Sequence, residues 1–337
     1  MRIEQNYSLK YHNSFHLPAK THWFVEYENE DELSRILKDE LLFKNRLLSI
    51  GEGSNLLFIN DFDGVILHSC MKDIAVINET NDSVLLRAGS GVCWDDLVAY
   101  AVSEGWGGIE NLSKIPGEVG AAAVQNIGAY GVEIRDVVET VEGYHQLTGV
   151  KRVFTNELCH YAYRSSCFKD SDHEPYIITS IGLRLQKNPQ FKLDYGNLSS
   201  MLRGSVITLQ AVRDAIITVR RSKLPETETL GNAGSFFVNP VIPRKQFEDL
   251  KERFPLIPYY PEPARGAVKI PAGWLIEQCG FKGKREGHVG VYEKQALIIV
   301  NHGGATGEEI VVFARKIRNA VNDVFGIQLV PEVKYVV

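Results

Sequence analysis

Apolar positions change their spacing along the chain, and those changes mark out the elements. Trp23–Tyr27 is a short apolar run that reads as a strand, and Arg46–Ile50 reads as a second. Between them Leu33, Ile36, Leu37 and Leu41 recur at helical spacing, which predicts a helix over 30–42. Val65–Leu67 and Ile74–Ile77 follow as strands, so the chain begins as a small α/β unit. A strand-rich stretch comes next, at 84–88, 137–144, 151–154 and 176–185, with a helix expected over 94–104. Val212, Ala215, Ile216 and Val219 form one face of a helix over 207–221. Further on, 244–253 and 272–279 read as helices and 295–300 as an apolar strand. The last helix opens on Thr306-Gly-Glu-Glu309, a capping box. It carries Ile310, Phe313, Ala314, Ile317, Val321 and Val324 on its buried face and stops at Gly326. The chain finishes as an apolar strand over 329–337 that contains an acid, Glu332, beside Pro331. That acid is either a surface edge position or a buried functional carboxylate.

Two stretches break these periods. Residues 115–131, Ile-Pro-Gly-Glu-Val-Gly-Ala-Ala-Ala-Val-Gln-Asn-Ile-Gly-Ala-Tyr-Gly, hold too many glycines for one continuous helix. Their small side chains suit either the close packing of two chain segments or backbone laid flat against a bulky ligand. Residues 230–240 place one hydroxyl, Ser235, between a turn-prone run and two aromatics, Phe236 and Phe237, before Asn239-Pro240 breaks the segment. Ser235 is either the cap of a tight turn or a proton donor in a closed pocket, with the phenylalanines anchoring one side in a core. The cluster Arg220-Arg221-Ser222-Lys223 either complements a helix C-terminus or binds phosphate.

Composition narrows the field. At 337 residues, 44% hydrophobic and 23% charged, the chain is long enough for two or three globular domains. A net charge of −5 argues against nucleic-acid binding by overall charge. The first residues lack the apolar segment of a signal peptide, and no run approaches the ~20 apolar residues of a membrane helix. Five cysteines without a CxxC pair point to a reduced, cytoplasmic protein with no metal site.

Ser49-Ile-Gly-Glu-Gly-Ser-Asn-Leu56 invites a dinucleotide-binding reading but has Leu56 at the third glycine position. No Gly-Lys-Ser/Thr follows, which excludes a P-loop here. Its amides can still nest an anion, with Ser54 and Asn55 as added donors. Glu52 would repel a pyrophosphate unless it turned away, and it is left outside the site. With the small-residue tract as a second wall, the pattern suits a large flat cofactor bearing a pyrophosphate.

Gly-Glu-Gly-Ser-Asn-Leu-Leu at 51–57, Ile-Pro-Gly-Glu-Val-Gly-Ala-Ala at 115–122, Gln-Asn-Ile-Gly-Ala-Tyr-Gly at 125–131, Tyr-Arg-Ser-Ser at 163–166, Ser-Lys-Leu-Pro at 222–225, Gly-Asn-Ala-Gly-Ser-Phe-Phe at 231–237, Ala-Gly-Trp-Leu-Ile-Glu-Gln at 272–278 and Pro-Glu-Val at 331–333 together resemble the UDP-N-acetylenolpyruvoylglucosamine reductase family, in order and over nearly the whole chain. Asp194–Leu198 resembles the branch with a tyrosine-bearing loop over the substrate.

The resemblance implies an α+β protein. Its FAD-binding fold would be of the vanillyl-alcohol-oxidase (PCMH) type, in two α/β subdomains over 1–70 and 71–224. A separate α+β substrate-binding domain would occupy 225–326, with the strand over 327–337 returning near the first subdomain. The implied enzyme is a UDP-N-acetylmuramate dehydrogenase of peptidoglycan synthesis, a cytoplasmic monomer acting on small molecules. NADPH would reduce non-covalent FAD, and the enolpyruvyl ether of the UDP-sugar would then take hydride from the flavin and a proton from Ser235. Arg164 and Glu332 would stabilise charge on the substrate carboxylate, Glu332 as a protonated acid. FAD contacts carried over by motif are Gly51, Gly53, Ser54, Asn55 and Leu56 in the first glycine loop. In the second tract they are Ile115, Pro116, Gly117, Gly120, Ala121, Gln125, Asn126, Gly128 and Ala129, with Ile178 from the long strand. Substrate contacts are Tyr195, Lys223, Asn239, Tyr260, Lys269 and Gln295. Two other readings stand beside this one: another FAD-dependent oxidase or dehydrogenase of the same cofactor fold, and a nucleotide-binding module without activity.

Overall fold

The computed structural model describes residues 1–40, 44–169, 175–262 and 266–337. Leu41 of the first expected helix lies outside them. Two compact units emerge. One comprises Met1–Tyr7, Thr21–Glu52 and Asp63–Ser222, and the other Ser8–Lys20, Gly53–Phe62 and Lys223–Val337.

The first unit carries two sheets. A four-stranded sheet runs in the order Arg2–Ser8, Lys20–Tyr27, Phe62–Ser69, Leu47–Ile50, and its last two strands are parallel. Helix Glu30–Lys38 packs Leu33, Ile36 and Leu37 with Val25, Tyr27, Val65 and Leu67. Asn29 caps it, accepting from the Glu32 amide, and it ends at Asp39, whose backbone turns extended. A five-stranded sheet runs Lys151–Thr155, Val138–His145, Tyr176–Gln186, Ser83–Gly89, Ile74–Glu79, with every neighbouring pair antiparallel. Its core takes in Trp94, Leu97, Val98 and Ala101 from helix Trp94–Ser103, and Val119, Ala122 and Ala123 from helix Val119–Gln125. The small-residue tract is therefore in part a short helix, stopped where Asn126 turns left-handed at φ 45°. Ile127 and Ala129 continue it into a hairpin whose two-residue turn, Tyr130-Gly131, has both φ angles positive.

The second unit is built around helix Gly307–Phe325. Its capping box forms as expected, and Gly326 ends it at φ 64°. Ile310, Phe313, Ala314, Ile317 and Val321 are buried, but Phe325 is buried in place of Val324, which is 37% exposed. The true face follows the larger side chain by one position. The apolar run over 295–300 is strand only at Ile299–Asn301, because Gln295–Ile298 makes a turn closed by the Ile298 amide on the Gln295 carbonyl. The terminal strand is likewise short: Lys334–Val336 pairs in parallel with Leu56–Phe58. Phe15, Leu17, Leu57, Phe236, Phe237 and Leu329 join the helix face in one core.

Candidate active site

In the first unit the glycine tract, Arg164 and the second half of the tract form one cluster. Ala162 and Ser165 exchange backbone hydrogen bonds at 3.0 Å, so Tyr163-Arg164 forms the tip of a tight turn, with Arg164 left-handed at φ 55°. Left-handed backbone at a non-glycine residue costs ~1–2 kcal/mol, and the surroundings hold it in place. Asn126 donates to the Ala162 carbonyl at 2.8 Å. Arg164 Nη2 donates to the Gly128 carbonyl at 2.7 Å, and a Cβ on Gly128 would stand 3.0 Å from Nη1. Lys169 Nζ ties the Arg164 carbonyl (2.9 Å) to Gln125 Oε1 (3.0 Å). Gln125, Asn126, Gly128 and Arg164 thus belong to one arrangement, and Lys169, which sequence reasoning passed over, closes it.

Gly117, left-handed at φ 115°, hands its carbonyl to the Trp94 amide, while its own amide donates to a Glu52 carboxylate oxygen at 3.0 Å. Glu52 of the first loop therefore reaches the second tract at Gly117. An amide that already takes an anionic oxygen is the kind of donor a phosphate needs. Gly120 owes its smallness to packing, since a Cβ there would meet Ser90 Cβ at 2.8 Å. Ala121 is partly exposed on the same helix, and Ile115 and Ala129 are partly buried against the core that contains Ile178. Pro116 lies in irregular chain ahead of Gly117. Gly51 faces Glu118, whose Oε2 a Cβ would approach to 3.0 Å.

Tyr195 is 49% exposed and packs edge-on against Tyr130 at 6.1 Å. A cavity of about 240 Å³ lies here, lined by Tyr130, Gly131, Lys192, Asp194 and Tyr195. Arg220 donates to the Lys114 carbonyl at 3.2 Å, so this member of the basic cluster supports the chain ahead of Ile115.

In the second unit the serine stretch is organised by Asn232. Its side chain accepts from the Gly234 amide and donates to the Leu230 carbonyl, which makes the turn that Ser235 was a candidate to cap. Ser235 itself is exposed, not enclosed; Phe236 and Phe237 take the burial, at 0% and 1% exposure. Phe237 bridges to Pro331, and the Glu332 amide donates to the Phe236 carbonyl at 2.9 Å. This register seats the half-buried Glu332 one residue from the serine. Asn55 Nδ2 donates to the Glu332 carbonyl at 3.2 Å, and the Lys334 amide donates to the Asn55 carbonyl. Ser235, Glu332 and Asn55 are therefore brought together. Gly53 is left-handed at φ 72°, and a Cβ there would come within 2.0 Å of the His12 carbonyl oxygen. Close chain approach explains this glycine without a ligand. Ser54 follows it, and Leu56 enters the strand paired with Lys334.

The expected substrate contacts in this unit flank the same stretch. The Phe236 amide donates to the Leu297 carbonyl, and the Leu297 amide donates back to Gln295 Oε1. Asn239 Oδ1 accepts from the Ala272 amide at 2.9 Å, holding the start of helix Ala272–Gln278. Tyr260 pairs with Lys269 across adjacent strands, and Lys269 Nζ lies 2.6 Å from Glu262. Lys223 sits exposed at the end of helix Leu209–Lys223.

A glycine-lined α/β unit and a serine–carboxylate unit in one chain fit a flavoprotein, and residues 22–150 match an FAD binding domain model. Residues 225–336 match the C-terminal domain model of UDP-N-acetylenolpyruvoylglucosamine reductase. The chain is 52% identical to the UDP-N-acetylenolpyruvoylglucosamine reductase of Porphyromonas gingivalis, covering 100% of both, and 45% identical to that of Bacteroides fragilis, covering 99% of this chain and 100% of the other. Its fold matches the crystal structure of UDP-N-acetylenolpyruvylglucosamine reductase from Thermus caldophilus, with a TM-score of 0.70 and 22% identity over 99% of both chains. The chain belongs to the UDP-N-acetylenolpyruvoylglucosamine reductase family. It has the FAD-binding fold with a C-terminal substrate domain, and FAD is its cofactor.

Proposed function

We propose that the protein reduces the enolpyruvyl ether of UDP-N-acetylglucosamine to the lactyl ether of UDP-N-acetylmuramate, the step that supplies the muramyl sugar for peptidoglycan, with NADPH as reductant. The observation that supports the residue assignment is the Glu332 amide on the Phe236 carbonyl, which runs the Pro331–Val333 backbone alongside the segment that carries Ser235. Bound FAD would supply the two-electron hydride chemistry between NADPH and the vinyl carbon. The chain's own residues do the rest. Ser235 Oγ gives a proton to the carbon bearing the ether and carboxylate; its exposure leaves the hydroxyl accessible to a ligand. Arg164, fixed by its turn and by the Gly128 carbonyl, holds the substrate carboxylate with its guanidinium. Glu332 steadies the charge that develops there. Gly51, Gly53, Ser54, Asn55, Leu56 and the walls Ile115–Gly117, Gly120, Ala121, Gln125, Asn126, Gly128, Ala129 and Ile178 hold the cofactor. Tyr195, Lys223, Asn239, Tyr260, Lys269 and Gln295 hold the UDP-sugar, with Lys223 opposite the diphosphate. We assign the cofactor chiefly to the first unit and the sugar nucleotide to the second.

The test is a pair of anaerobic half-reactions. NADPH should bleach the yellow protein, and the enolpyruvyl UDP-sugar should restore the colour without oxygen. Bleaching with no recovery on that sugar would leave another flavin-dependent dehydrogenase as the reading. Among the described residues no helix is long and apolar enough to cross a membrane. The cysteines at 70, 93, 159, 167 and 279 are thiols rather than disulfides, which supports a cytoplasmic protein. We assign it as a monomer, and light scattering at micromolar concentration should return one 37.8 kDa chain.

A further inference from the structure

One buried ionic cluster of the first unit takes no part in the chemistry above yet touches both glycine motifs. His68, on strand Phe62–Ser69, stands between two carboxylates. Its Nδ1 lies 3.2 Å from Glu26 Oε1 on strand Lys20–Tyr27, and its Nε2 lies 3.0 Å from Glu118 Oε1 at the start of helix Val119–Gln125. The His68 side chain is 12% exposed and that of Glu118 is 7%. Glu118 is itself part of the Ile-Pro-Gly-Glu-Val-Gly motif, and its other oxygen packs against Gly51 of the Gly-Glu-Gly motif. One carboxylate therefore spaces the two motifs, and one imidazole holds that carboxylate.

We propose that a protonated His68, clamped between Glu26 and Glu118, is a positioning residue that keeps the Gly51 and Gly117–Gly120 segments in register, so that FAD affinity depends on pH. The inference rests on the assignment of those segments to the FAD site. Carboxylates only accept hydrogen bonds, and a neutral imidazole carries a single N–H. Both contacts are satisfied only while both ring nitrogens are protonated. Loss of that proton sets a bare ring nitrogen against a carboxylate oxygen, on one side or the other, in a site largely closed to water.

The remaining charges agree. Burial alone would lower the His68 pKa, but hydrogen bonding and charge from Glu118 and Glu26 outweigh it and hold the imidazole above its ordinary value. Arg2 occupies the other oxygen of Glu26 at 2.9 Å, and burial of Glu26 is outweighed by His68 and Arg2, so its carboxyl stays low. Cys70 lies close by and burial pushes its thiol up, against the pull of Lys72, so it adds no charge near neutrality. Tyr27 faces Glu118 and is also pushed up by burial. Glu26, His68 and Cys70 have donor atoms within 4.8 Å of one another, a spacing that would also suit a metal ion. Here both His68 nitrogens and both Glu26 oxygens already have partners that a single proton and Arg2 account for.

The clamp is intact below the ordinary histidine pKa of ~6.5 and is lost as pH rises through the raised value in the folded protein. The test titrates flavin-free protein with FAD from about pH 6 to about pH 9, reading the dissociation constant by flavin fluorescence, with thermal unfolding of each flavin-free variant as a folding control. Wild-type affinity should fall roughly tenfold across that range. Glu26→Gln should bind as tightly as wild type at pH 6 and show no pH dependence, because the introduced side-chain amide donates to Nδ1 while Nε2–H serves Glu118. His68→Gln should bind weakly at every pH. A flat wild-type profile, or His68→Gln equal to wild type, overturns the clamp. Ala121→Trp, which fills the wall on the partly exposed side of the helix, separates the two failures. If it loses FAD while His68→Gln keeps it, the clamp alone is wrong; if both keep FAD, the assignment of the wall falls and the clamp with it.

Discussion

At the scale of single residues, the proposed chemistry rests on groups whose backbones are fixed by neighbours rather than by their own side chains. Ser235 is exposed, but the two phenylalanines after it and the Asn232 turn before it leave its Cα little freedom. Removing the hydroxyl should therefore change chemistry and not fold. Ser235→Ala is expected to be bleached by NADPH at the wild-type rate, while recovery of colour on the enolpyruvyl UDP-sugar slows by roughly a hundred- to ten-thousand-fold. Stopped-flow absorbance of the two half-reactions checks this, and recovery at a near-normal rate removes Ser235 as the proton donor. Arg164 differs in kind, because its guanidinium also secures the Gly128 carbonyl at 2.7 Å. Arg164→Lys keeps the charge but loses the planar fork, so it should slow the substrate half-reaction and also loosen FAD. Effects confined to the first of these would mean that the Gly128 contact contributes nothing to the cofactor wall.

At the scale of elements, sequence signals were legible where a local device made them. The Thr306 capping box and Gly326 act within a few residues, so the helix they bound was readable to within a few positions. What was not legible is what depends on distant chain. Nothing local announces that Gly53 is a glycine because the His12 carbonyl passes 2.0 Å from where a Cβ would be, or that Gly120 faces Ser90. Both read equally well as ligand-cradling glycines. The same holds for the site: the residue types at 235 and 332 were readable by motif, but their adjacency comes from the Phe236–Glu332 and Phe237–Pro331 pairings across nearly a hundred residues. The two kinds of feature predict different energies. Thr306→Ala removes one cap and should cost about 1 kcal/mol of stability. Gly53→Ala forces both a left-handed alanine and a backbone collision, and should cost about 2–4 kcal/mol. Urea unfolding of both variants measures the order; equal losses would show that the His12 segment yields freely.

At the scale of the whole molecule, the charged groups that matter for stability are distributed unevenly between the two units. Asp95 binds Arg213 through two hydrogen bonds, at 2.6 and 3.0 Å, and accepts from the Lys114 amide. Burial would raise its pKa, but Arg213 and that amide outweigh burial and hold it low. Glu30, with Lys151, Tyr144 and Thr179 around it, and Glu26, between His68 and Arg2, are held low against burial in the same way. All three belong to the first unit. Two acids of the second unit, Glu286 held low by Lys316 and Lys284 and Glu309 held low by the Thr306 cap, are at the surface, where such contacts contribute little. Carboxylates with depressed pKa stabilise the fold above their ordinary values near 4, and that stability is lost as pH falls through the depressed ones. His68 works in the opposite sense, its contribution lost as pH rises through its raised value. The first unit is thus loosened from both sides of neutrality by its buried groups. Hydrogen-exchange mass spectrometry on the flavin-free protein, stepped from about pH 7 down to about pH 3.5 and corrected for intrinsic exchange, should show protection lost first in strands Tyr176–Gln186 and Lys20–Tyr27 and helix Trp94–Ser103. Helix Gly307–Phe325, capped and packed on an apolar face, should hold its protection to lower pH. Loss that begins in that helix, or that appears in both units at the same pH, would show that these ion pairs do not set the acid limit of the fold.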